Sequence, residues 1–346
     1  MKNRPPGFGE RLLPEGPGFA SPDSKPWRHR KDLLGLLRAS SRNGVTRSKA
    51  GTLAPRGYDR SAMAPTDPIL SPACPICDAT MQFDFRTEEA GYYLCPHCDL
   101  LRPCTEGLKP LDLNISIYHE RFDENLEHTA IVNDKRRRKY ARLLRRIEER
   151  KQTGKFLDIG CGAGRLLVCA AEHGWQAYGS DPAMNNAAEY HAVNPNIHIL
   201  PKTLSDCEFE DGSFDVVHGN EVIEHIDDLR PVMKEISRIL RPGGVAIFRT
   251  PHFRSWTTRF VGPHWRGYSV HNGHVSFLST TSFSRLFEQS GMRLTRVATQ
   301  HFSLRDRFLP KAKILRSLLS RAYACVDLLA RLVNRGERLT VWGEKT

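Results

Sequence analysis

The glycine-rich segment Gly160-Cys-Gly-Ala-Gly164 is the feature that most constrains the fold of this 346-residue chain. It follows the apolar run 156–159, which has the character of a buried strand, and it precedes residues 165–173, which have helical periodicity. A second apolar run at residues 176–179 then leads to Asp181. This order predicts an α/β domain in which the glycines let a ligand approach the backbone at the carboxyl end of a parallel strand.

A glycine turn of this kind also fits a nicotinamide dinucleotide, so the surrounding motifs decide between ligands. Asp158 stands just before the first glycine, and Asp181 is followed by Asp211-Gly-Ser-Phe-Asp-Val-Val217 and by Leu240-Arg-Pro-Gly-Gly-Val245. In order and spacing over residues 155–250, this series resembles the class I S-adenosylmethionine-dependent methyltransferases. The resemblance implies a Rossmann-like, mostly parallel, seven-stranded sheet. The competing interpretation is a structural α/β domain with an accidental glycine turn.

The resemblance also implies the residues that bind the cofactor. Asp158 would lie near the amino group of the cofactor's methionine part, Asp181 would bind the ribose hydroxyls, and Asn220 would line the pocket. The loop at 202–206 would border the adenine. The residues implied for the turn around the methionine part are Gly160, Cys161, Gly162 and Gly164.

Carboxylates and an imidazole follow the fourth strand in Asn220-Glu-Val-Ile-Glu-His225. A helix starting at Glu221 would place Glu221, Glu224 and His225 on one face, since positions three and four apart are neighbours. Such a group can ligate a divalent ion that binds an acceptor's oxygens, or His225 can act as a general base. In the alternative, these residues only cap a helix and shape the pocket.

The same segment is similar to Glu-x-x-Glu-His in ubiquinone-pathway O-methyltransferases and in small-RNA 3′-terminal 2′-O-methyltransferases. His274, in His271-Asn-Gly-His274, resembles the histidine that completes the metal site of the RNA enzymes. The resemblance therefore implies Glu224, His225 and His274 as catalytic residues, and the same three with Glu221 as ligands of a second metal ion. The aromatic and histidine-rich stretch 251–277 has no regular period and is expected to line the acceptor site.

Two cysteine pairs, Cys74-Pro-Ile-Cys77 and Cys95-Pro-His-Cys98, flank two short strand-like runs. The spacing predicts a zinc ribbon, because each pair can turn two thiolates toward one ion and four thiolates close a tetrahedral site. A closed site has no open position, so this zinc would be structural. The alternative is four free or incidentally buried thiols.

The positive charge of the chain is concentrated at its two ends. Lys and Arg number 51 against 39 Asp and Glu, but residues 1–70 hold 13 basic and 6 acidic residues and residues 301–346 hold 10 and 4. The net charge of +12 is therefore weak evidence for a nucleic-acid substrate. Residues 131–151 predict a helix with a basic face.

The sequence accordingly divides into five predicted regions. They are a disordered basic leader (1–70), a zinc ribbon (71–104), a helical lead-in (105–153), the cofactor-binding domain (154–300 and 337–346) and a helical insertion (301–336). Within the insertion, residues 308–335 form an apolar stripe with a basic border, which predicts a cap on the domain or, alternatively, peripheral membrane contact.

The predicted function is methyl transfer from S-adenosylmethionine, most simply to an oxygen of a small-molecule, sugar or lipid-linked acceptor. The alternatives are an RNA 2′-O-methyltransferase and a non-catalytic scaffold. No apolar run approaches the length of a membrane span, and no secretory signal is evident, so we expect a cytoplasmic protein whose cysteines are reduced.

Overall fold

The computed structural model describes residues 72–104, 132–184, 194–269, 272–300 and 325–346. The predicted leader 1–70, most of the predicted insertion, and His271 lie outside these ranges. The same holds for residues 105–131 of the predicted lead-in.

The two cysteine pairs lie in a small antiparallel sheet. Its strands are β1 (Gln82–Arg86), β2 (Gly91–Leu94) and β3 (Leu101–Cys104), paired in that order. The sequence analysis predicted two strands between the pairs, and the structure adds β3 after the second pair. We call residues 72–104 the ribbon.

The larger sheet has seven strands in the order β6-β5-β4-β7-β8-β10-β9. The predicted mostly parallel arrangement is confirmed, because only β10 runs antiparallel to its neighbours β8 and β9. The predicted final strand at residues 339–342 is the centre of β10. The strands are β4 (Lys155–Ile159), β5 (Gln176–Ser180), β6 (Ile197–Leu200), β7 (Phe214–Asn220), β8 (Leu240–Pro251), β9 (Met292–Gln300) and β10 (Arg338–Lys345).

Five α-helices of the described chain accompany these strands, in addition to the helical residues 325–332. They are α1 (Asp134–Glu148), α2 (Arg165–Glu172), α3 (Leu229–Ile239), α4 (Trp256–Val261) and α5 (Thr280–Gln289). The predicted basic helix is α1, which begins after Asn133, whose side chain accepts a hydrogen bond from the Arg136 amide. It buries Leu144 and Ile147 against the sheet and leaves most of its cationic residues exposed.

Both faces of the sheet are covered by apolar side chains. Alternate residues of β8 point to opposite faces, so Val245 and Ile247 pack in the cluster that contains α1 and α2 residues, while Ala246 and Phe248 pack on the other side. The near-continuous apolar runs of the central strands follow from this double burial. The carboxyl ends of β4, β5, β7 and β8 are left as the edge where polar residues gather.

The stretch 251–277 is more regular than the sequence predicted. Ser255 caps α4 by accepting a hydrogen bond from the Thr258 amide, and two 3-10 turns follow at Gly262–His264 and Arg266–Tyr268. The N-cap explains why the sequence pattern did not predict this helix. A short helix that is stabilised by an N-cap can form without a long periodic pattern of apolar residues.

Only the end of the predicted insertion is described. Residues 325–332 are helical, and their large apolar side chains Leu328, Leu329 and Leu332 are at least half exposed. No helix within the described ranges is both long and apolar enough to span a membrane.

Candidate active site

The glycine turn joins β4 to α2 in a conformation that glycine favours. Gly160 has a φ of +62°, and a Cβ atom there would lie 2.8 Å from Val222 Cγ2. The Gly160 amide donates to the Ser180 carbonyl at 2.7 Å. The turn is thereby held against the end of β5, which leaves its backbone at the edge where ligands bind in open α/β sheets.

The carboxylate of Asp181 closes the other side of this turn. It accepts a hydrogen bond from the Gly162 amide at 2.7 Å and another from the Ala183 amide at 2.9 Å. The structure therefore brings Asp181 to the glycine turn, where the sequence analysis expected a ribose-binding acid. Its part exposure leaves the carboxylate reachable by a ligand.

Asp158 lies on β4 directly before the turn and is buried. Its Oδ1 atom is 2.7 Å from Nδ1 of His218 on the neighbouring strand β7. Because an ionised carboxylate only accepts hydrogen bonds, Nδ1 of His218 carries the proton in this pair. The pair offsets part of the cost of burying the charge of Asp158.

Asn220 ends β7 at the same edge and is exposed. Its side-chain oxygen accepts a hydrogen bond from Arg249 of β8 at 3.0 Å. The sequence-predicted cofactor residues Asp158, Asp181 and Asn220 thus lie at the carboxyl ends of three adjacent strands.

The segment after β7 is a short turn rather than the start of an α-helix. Glu221 has a φ of +57°, and its amide donates to the Arg249 carbonyl at 2.7 Å, so the chain still follows the sheet there. A single 3-10 turn, Ile223–His225, follows. Glu224 is fully buried on this turn, and its Oε2 accepts a hydrogen bond from the Thr250 hydroxyl at 2.9 Å.

Glu224, His225 and His274 come together at this point. Each offers one ligand atom, and these atoms all lie within 4.8 Å of one another. The other carboxylate oxygen of Glu224, Oε1, is buried and has no hydrogen-bond partner within the described ranges. An unpaired buried carboxylate oxygen is costly, and a carboxyl group grouped with two imidazoles fits the donor set of a divalent cation.

Both histidines of this group are oriented by backbone carbonyls. Nδ1 of His225 donates to the Gly273 carbonyl at 3.0 Å, and Nδ1 of His274 donates to the Gly267 carbonyl at 3.0 Å. Because carbonyl oxygens only accept, these bonds fix the protons on Nδ1 and leave each Nε2 lone pair free in the neutral ring. Metal-ligating histidines are commonly oriented in this way.

Burial adjusts the protonation of the group. It lowers the pKa of His225 to about 4, helped by the neighbouring His274, and it lowers the pKa of His274 as well. Burial, followed by the nearby charge of Glu221, raises the pKa of Glu224 to about 8. The neutral imidazoles keep their Nε2 lone pairs available to a cation, whereas the burial of Glu224 disfavours its ionised form unless a cation compensates the charge.

Glu221 lies outside this group. Its Oε1 is 3.1 Å from Nε of Arg338 and 3.9 Å from Nη1 of Arg249. Both arginines lie on the sheet strands β10 and β8, on the face that α1 covers. Glu221 as a fourth ligand stays a prediction, and it would require the pair with Arg338 to open.

The sequence analysis did not single out Thr250, Arg165 or Arg249. The Thr250 hydroxyl, at the end of β8, donates a hydrogen bond to Glu224. Its position as a buried polar residue at the carboxyl end of a strand could have identified it from the sequence. Arg165 follows the glycine turn directly, and its buried Nε has no hydrogen-bond partner in the described parts of the chain. An unsatisfied cation beside the turn is suited to a carboxylate ligand.

The four cysteines of the ribbon form a second group of ligand atoms within 4.8 Å. The Sγ atoms of Cys74 and Cys98 are 3.3 Å apart, and those of Cys77 and Cys95 are 3.4 Å apart. Four thiolates around a zinc ion stand about 3.8 Å from one another, given a Zn–S distance of about 2.3 Å. The donors therefore fit a tetrahedral ion after a small expansion.

The backbone around the two cysteine pairs repeats the same turn. Asp78 and Asp99, each one position after a pair, have φ of 58° and 57°. Their amides donate to the carbonyls of Cys74 and Cys95, respectively. The hydrogen bond between Cys74 and Cys98 lowers the pKa of the Cys74 thiol to about 5 and raises the pKa of Cys98, so the thiolate of this pair forms first at Cys74.

Comparisons with known proteins agree with this architecture. Residues 132–297 match a family model described as a methyltransferase domain. The ubiquinone biosynthesis O-methyltransferase of Nitrobacter winogradskyi is 30% identical over 152 residues, which cover 41% of this chain and 57% of that protein. A sterol 4-C-methyltransferase of Caenorhabditis elegans is 37% identical over 94 residues, which cover 25% of this chain and 28% of that one.

The chain thus spans less than two thirds of the length of the curated relatives that it matches. Among solved structures, it is similar to a SAM-dependent methyltransferase from Archaeoglobus fulgidus, with 16% identity, a TM-score of 0.43, and coverage of 60% of this chain and 92% of that one. Residues 132–297 of this chain thus match a methyltransferase domain family, and the sheet there has the mostly parallel, seven-stranded order that the resemblance implies.

Proposed function

We propose that the protein transfers a methyl group from S-adenosylmethionine to an oxygen atom of a small-molecule, sugar or lipid-linked acceptor. The observation that carries this proposal is the convergence of Glu224 and His225, on the turn that follows β7, with His274. We expect the oxygen-bearing acceptor to bind near this group, because ligands bind at the carboxyl ends of the strands in this class of fold.

The cofactor's sulfonium supplies a methyl group that is already activated for transfer. The protein then has to bind the acceptor, align it with the methyl group and exclude water from the site. Arg165 and the backbone of the turn 160–164 suit the carboxylate end of the methionine part, and Asp158 suits its ammonium group. Asp181 suits the ribose hydroxyls, because a carboxylate can accept two hydrogen bonds at once.

Glu224, His225 and His274 would hold a divalent cation. Such an ion binds an acceptor's oxygen atoms and favours their deprotonated form. The backbone bonds at the two Nδ1 atoms and the Thr250 hydroxyl on Glu224 keep the three ligand atoms facing one point. If no ion is bound, the neutral Nε2 of His225 is instead a candidate general base.

The ribbon would hold one structural zinc ion. Four thiolates fill the coordination sphere, so the ion has no position for a substrate. Its contribution is to the folding of a unit of about thirty residues, too few to build a sufficient core without a metal or another staple.

An oxygen acceptor is supported by the ubiquinone biosynthesis O-methyltransferase relatives, although a C-methyltransferase also appears among the similar proteins. The acceptor's identity is therefore left to experiment. Within the same proposal, the enzyme works in the cytoplasm, with residues 308–335 as a cap on the domain or a peripheral membrane contact.

An RNA 2′-O-methyltransferase is the second candidate, and a specific observation favours it. By resemblance, His274 is the counterpart of the histidine element of those RNA enzymes. Its ligand atom lies within 4.8 Å of the ligand atoms of Glu224 and His225. The exposed basic residues of α1 would supply phosphate contacts.

Labelled S-adenosylmethionine supplied to the full chain with fractionated cell extract tests these alternatives. We expect label in a small-molecule or lipid fraction with wild-type protein and none with Asp158→Ala. Label at RNA 3′ ends would favour the second candidate. Correctly folded protein that neither binds the cofactor nor transfers label would indicate a non-catalytic scaffold.

A further inference from the structure

The ribbon packs on the segment that carries His274. We call the described residues 265–269 and 272–277 the histidine loop. A single pair of residues joins the two by backbone hydrogen bonds: the Leu101 amide donates to the Phe277 carbonyl at 3.1 Å, and the Phe277 amide donates to the Leu101 carbonyl at 2.9 Å. The histidine loop therefore continues the ribbon's sheet beyond β3.

Arg102 extends this junction toward the metal-ligand group. Its Nε donates to the Val275 carbonyl at 3.2 Å, and its Nη2 pairs with Asp227 after the 3-10 turn. The Val275 amide in turn donates to the Glu224 carbonyl at 2.8 Å. One ribbon side chain thus contacts both segments that present the ligands, through a backbone carbonyl in one and through a carboxylate side chain in the other.

Tyr92 reaches the same loop from the next ribbon strand. Its hydroxyl donates to the Tyr268 carbonyl. The preceding carbonyl, that of Gly267, accepts the Nδ1 proton of His274. The Tyr92 bond is consequently one peptide away from the bond that orients the imidazole.

Aromatic packing makes this junction stiff. Tyr92 stacks on Phe85 with ring centroids 4.7 Å apart and lies 5.2 Å from Tyr268 and 5.9 Å from Phe277. All four belong to one buried cluster. Close-packed clusters transmit small displacements, so a shift of the ribbon would move the histidine loop.

We propose that the ribbon is a positioning element of the acceptor site, in which Tyr92 and Arg102 hold His274 in the orientation that a divalent ion needs. The inference rests on the divalent site of the proposed function. In this inference the ribbon helps to position a residue of the acceptor site. It does not act as a separate nucleic-acid-binding module.

The test is a calorimetric titration of the zinc-loaded full chain with Mn²⁺. The protein is loaded with one zinc ion per chain, which the four thiolates take up in preference, so the second site is left for Mn²⁺. The variants are Tyr92→Phe and Arg102→Met. Tyr93→Phe is the matched control, because Tyr93 points to the opposite ribbon face and packs against Phe83.

We expect both variants to weaken Mn²⁺ binding about three- to tenfold, less than the 10- to 100-fold typical for a direct outer partner of a metal ligand. Zinc content and S-adenosylmethionine affinity should stay at wild-type values, as should Mn²⁺ binding by the control. Arg102→Met provides an independent measurement if Tyr92→Phe loses zinc.

Unchanged Mn²⁺ affinity in both variants overturns this inference and leaves the proposed function intact. Failure of the wild-type protein to bind Mn²⁺ overturns the divalent site itself, and the positioning role with it. Equal weakening by the control would show a general loosening of the ribbon and would also contradict the specific role of Tyr92 and Arg102.

Discussion

The imidazole rings of His225 and His274, which belong to separate segments of the chain, lie with their centroids 4.9 Å apart. Each ring donates its Nδ1 proton to a backbone carbonyl, which leaves the Nε2 lone pairs available to bind a cation together with the carboxyl group of Glu224. Backbone carbonyls cannot be removed by substitution, so the site is best tested through the ligands.

Glu224→Gln should abolish measurable Mn²⁺ binding by calorimetry while the affinity for S-adenosylmethionine is retained. The amide keeps the shape and the Thr250 contact but removes the negative charge that a divalent ion requires. Glu221→Gln should change Mn²⁺ affinity little, since Glu221 is paired with Arg338. A comparable loss in Glu221→Gln would restore Glu221 as a ligand.

Asp158→Ala and Asp181→Asn should each weaken S-adenosylmethionine binding about 10- to 100-fold by calorimetry. The reason is that a hydrogen bond to a charged group is worth about 1.5–3 kcal/mol. Asp211→Asn removes an exposed carboxylate paired with Arg238 and serves as the control. Wild-type affinity in both test variants would contradict the assigned cofactor site.

Zinc should copurify at about one ion per chain, as expected for a closed four-thiolate site. Cys74→Ser should lose that ion, because serine does not supply a thiolate. Cys207→Ser, whose thiol contacts the Thr203 carbonyl away from the ribbon, should retain it. Full zinc occupancy in Cys74→Ser, measured by elemental analysis, would refute the site.

His252 should make stability depend on pH. Burial lowers its pKa from 6.5 to about 4, so the unfolded chain binds more protons between these values and stability falls as pH falls. The contribution is about 3 kcal/mol between pH 7 and pH 4. In His252→Asn, the change in unfolding free energy between pH 7 and pH 4 should be smaller by that amount.

The control for this measurement is His264→Asn, which makes the same substitution at an exposed position. An identical pH slope in wild type and His252→Asn would show that His252 is not the group responsible.

Local sequence determined the sheet and the glycine turn. Buried parallel strands produce apolar runs such as 156–159, and positive φ at Gly160 explains why glycine stands there. The cysteine spacing likewise predicted the ribbon, since ligands within one pair must meet the same ion. The short strand β6 was missed, because four residues carry little periodic signal.

The sequence also identified Glu224 and His225 by their spacing, and His274 through a resemblance. Their convergence depends on long-range contacts, above all the Val275 and Ser276 amides that bind the Glu224 carbonyl. Periodicity reports only near neighbours, so it wrongly favoured a helical face that would include Glu221. The actual 3-10 turn follows from the hydrogen bond between the Glu221 amide and β8.

By itself, then, the sequence determined most of the longer elements, the glycine turn and the two sets of ligand types. Tertiary structure alone decided that the ribbon's Tyr92 and Arg102 reach the histidine loop, and that Glu221 pairs with Arg338. The physical reason is that the local sequence pattern determines on which face of a helix or strand a residue lies. Packing between distant elements determines which residues that face contacts.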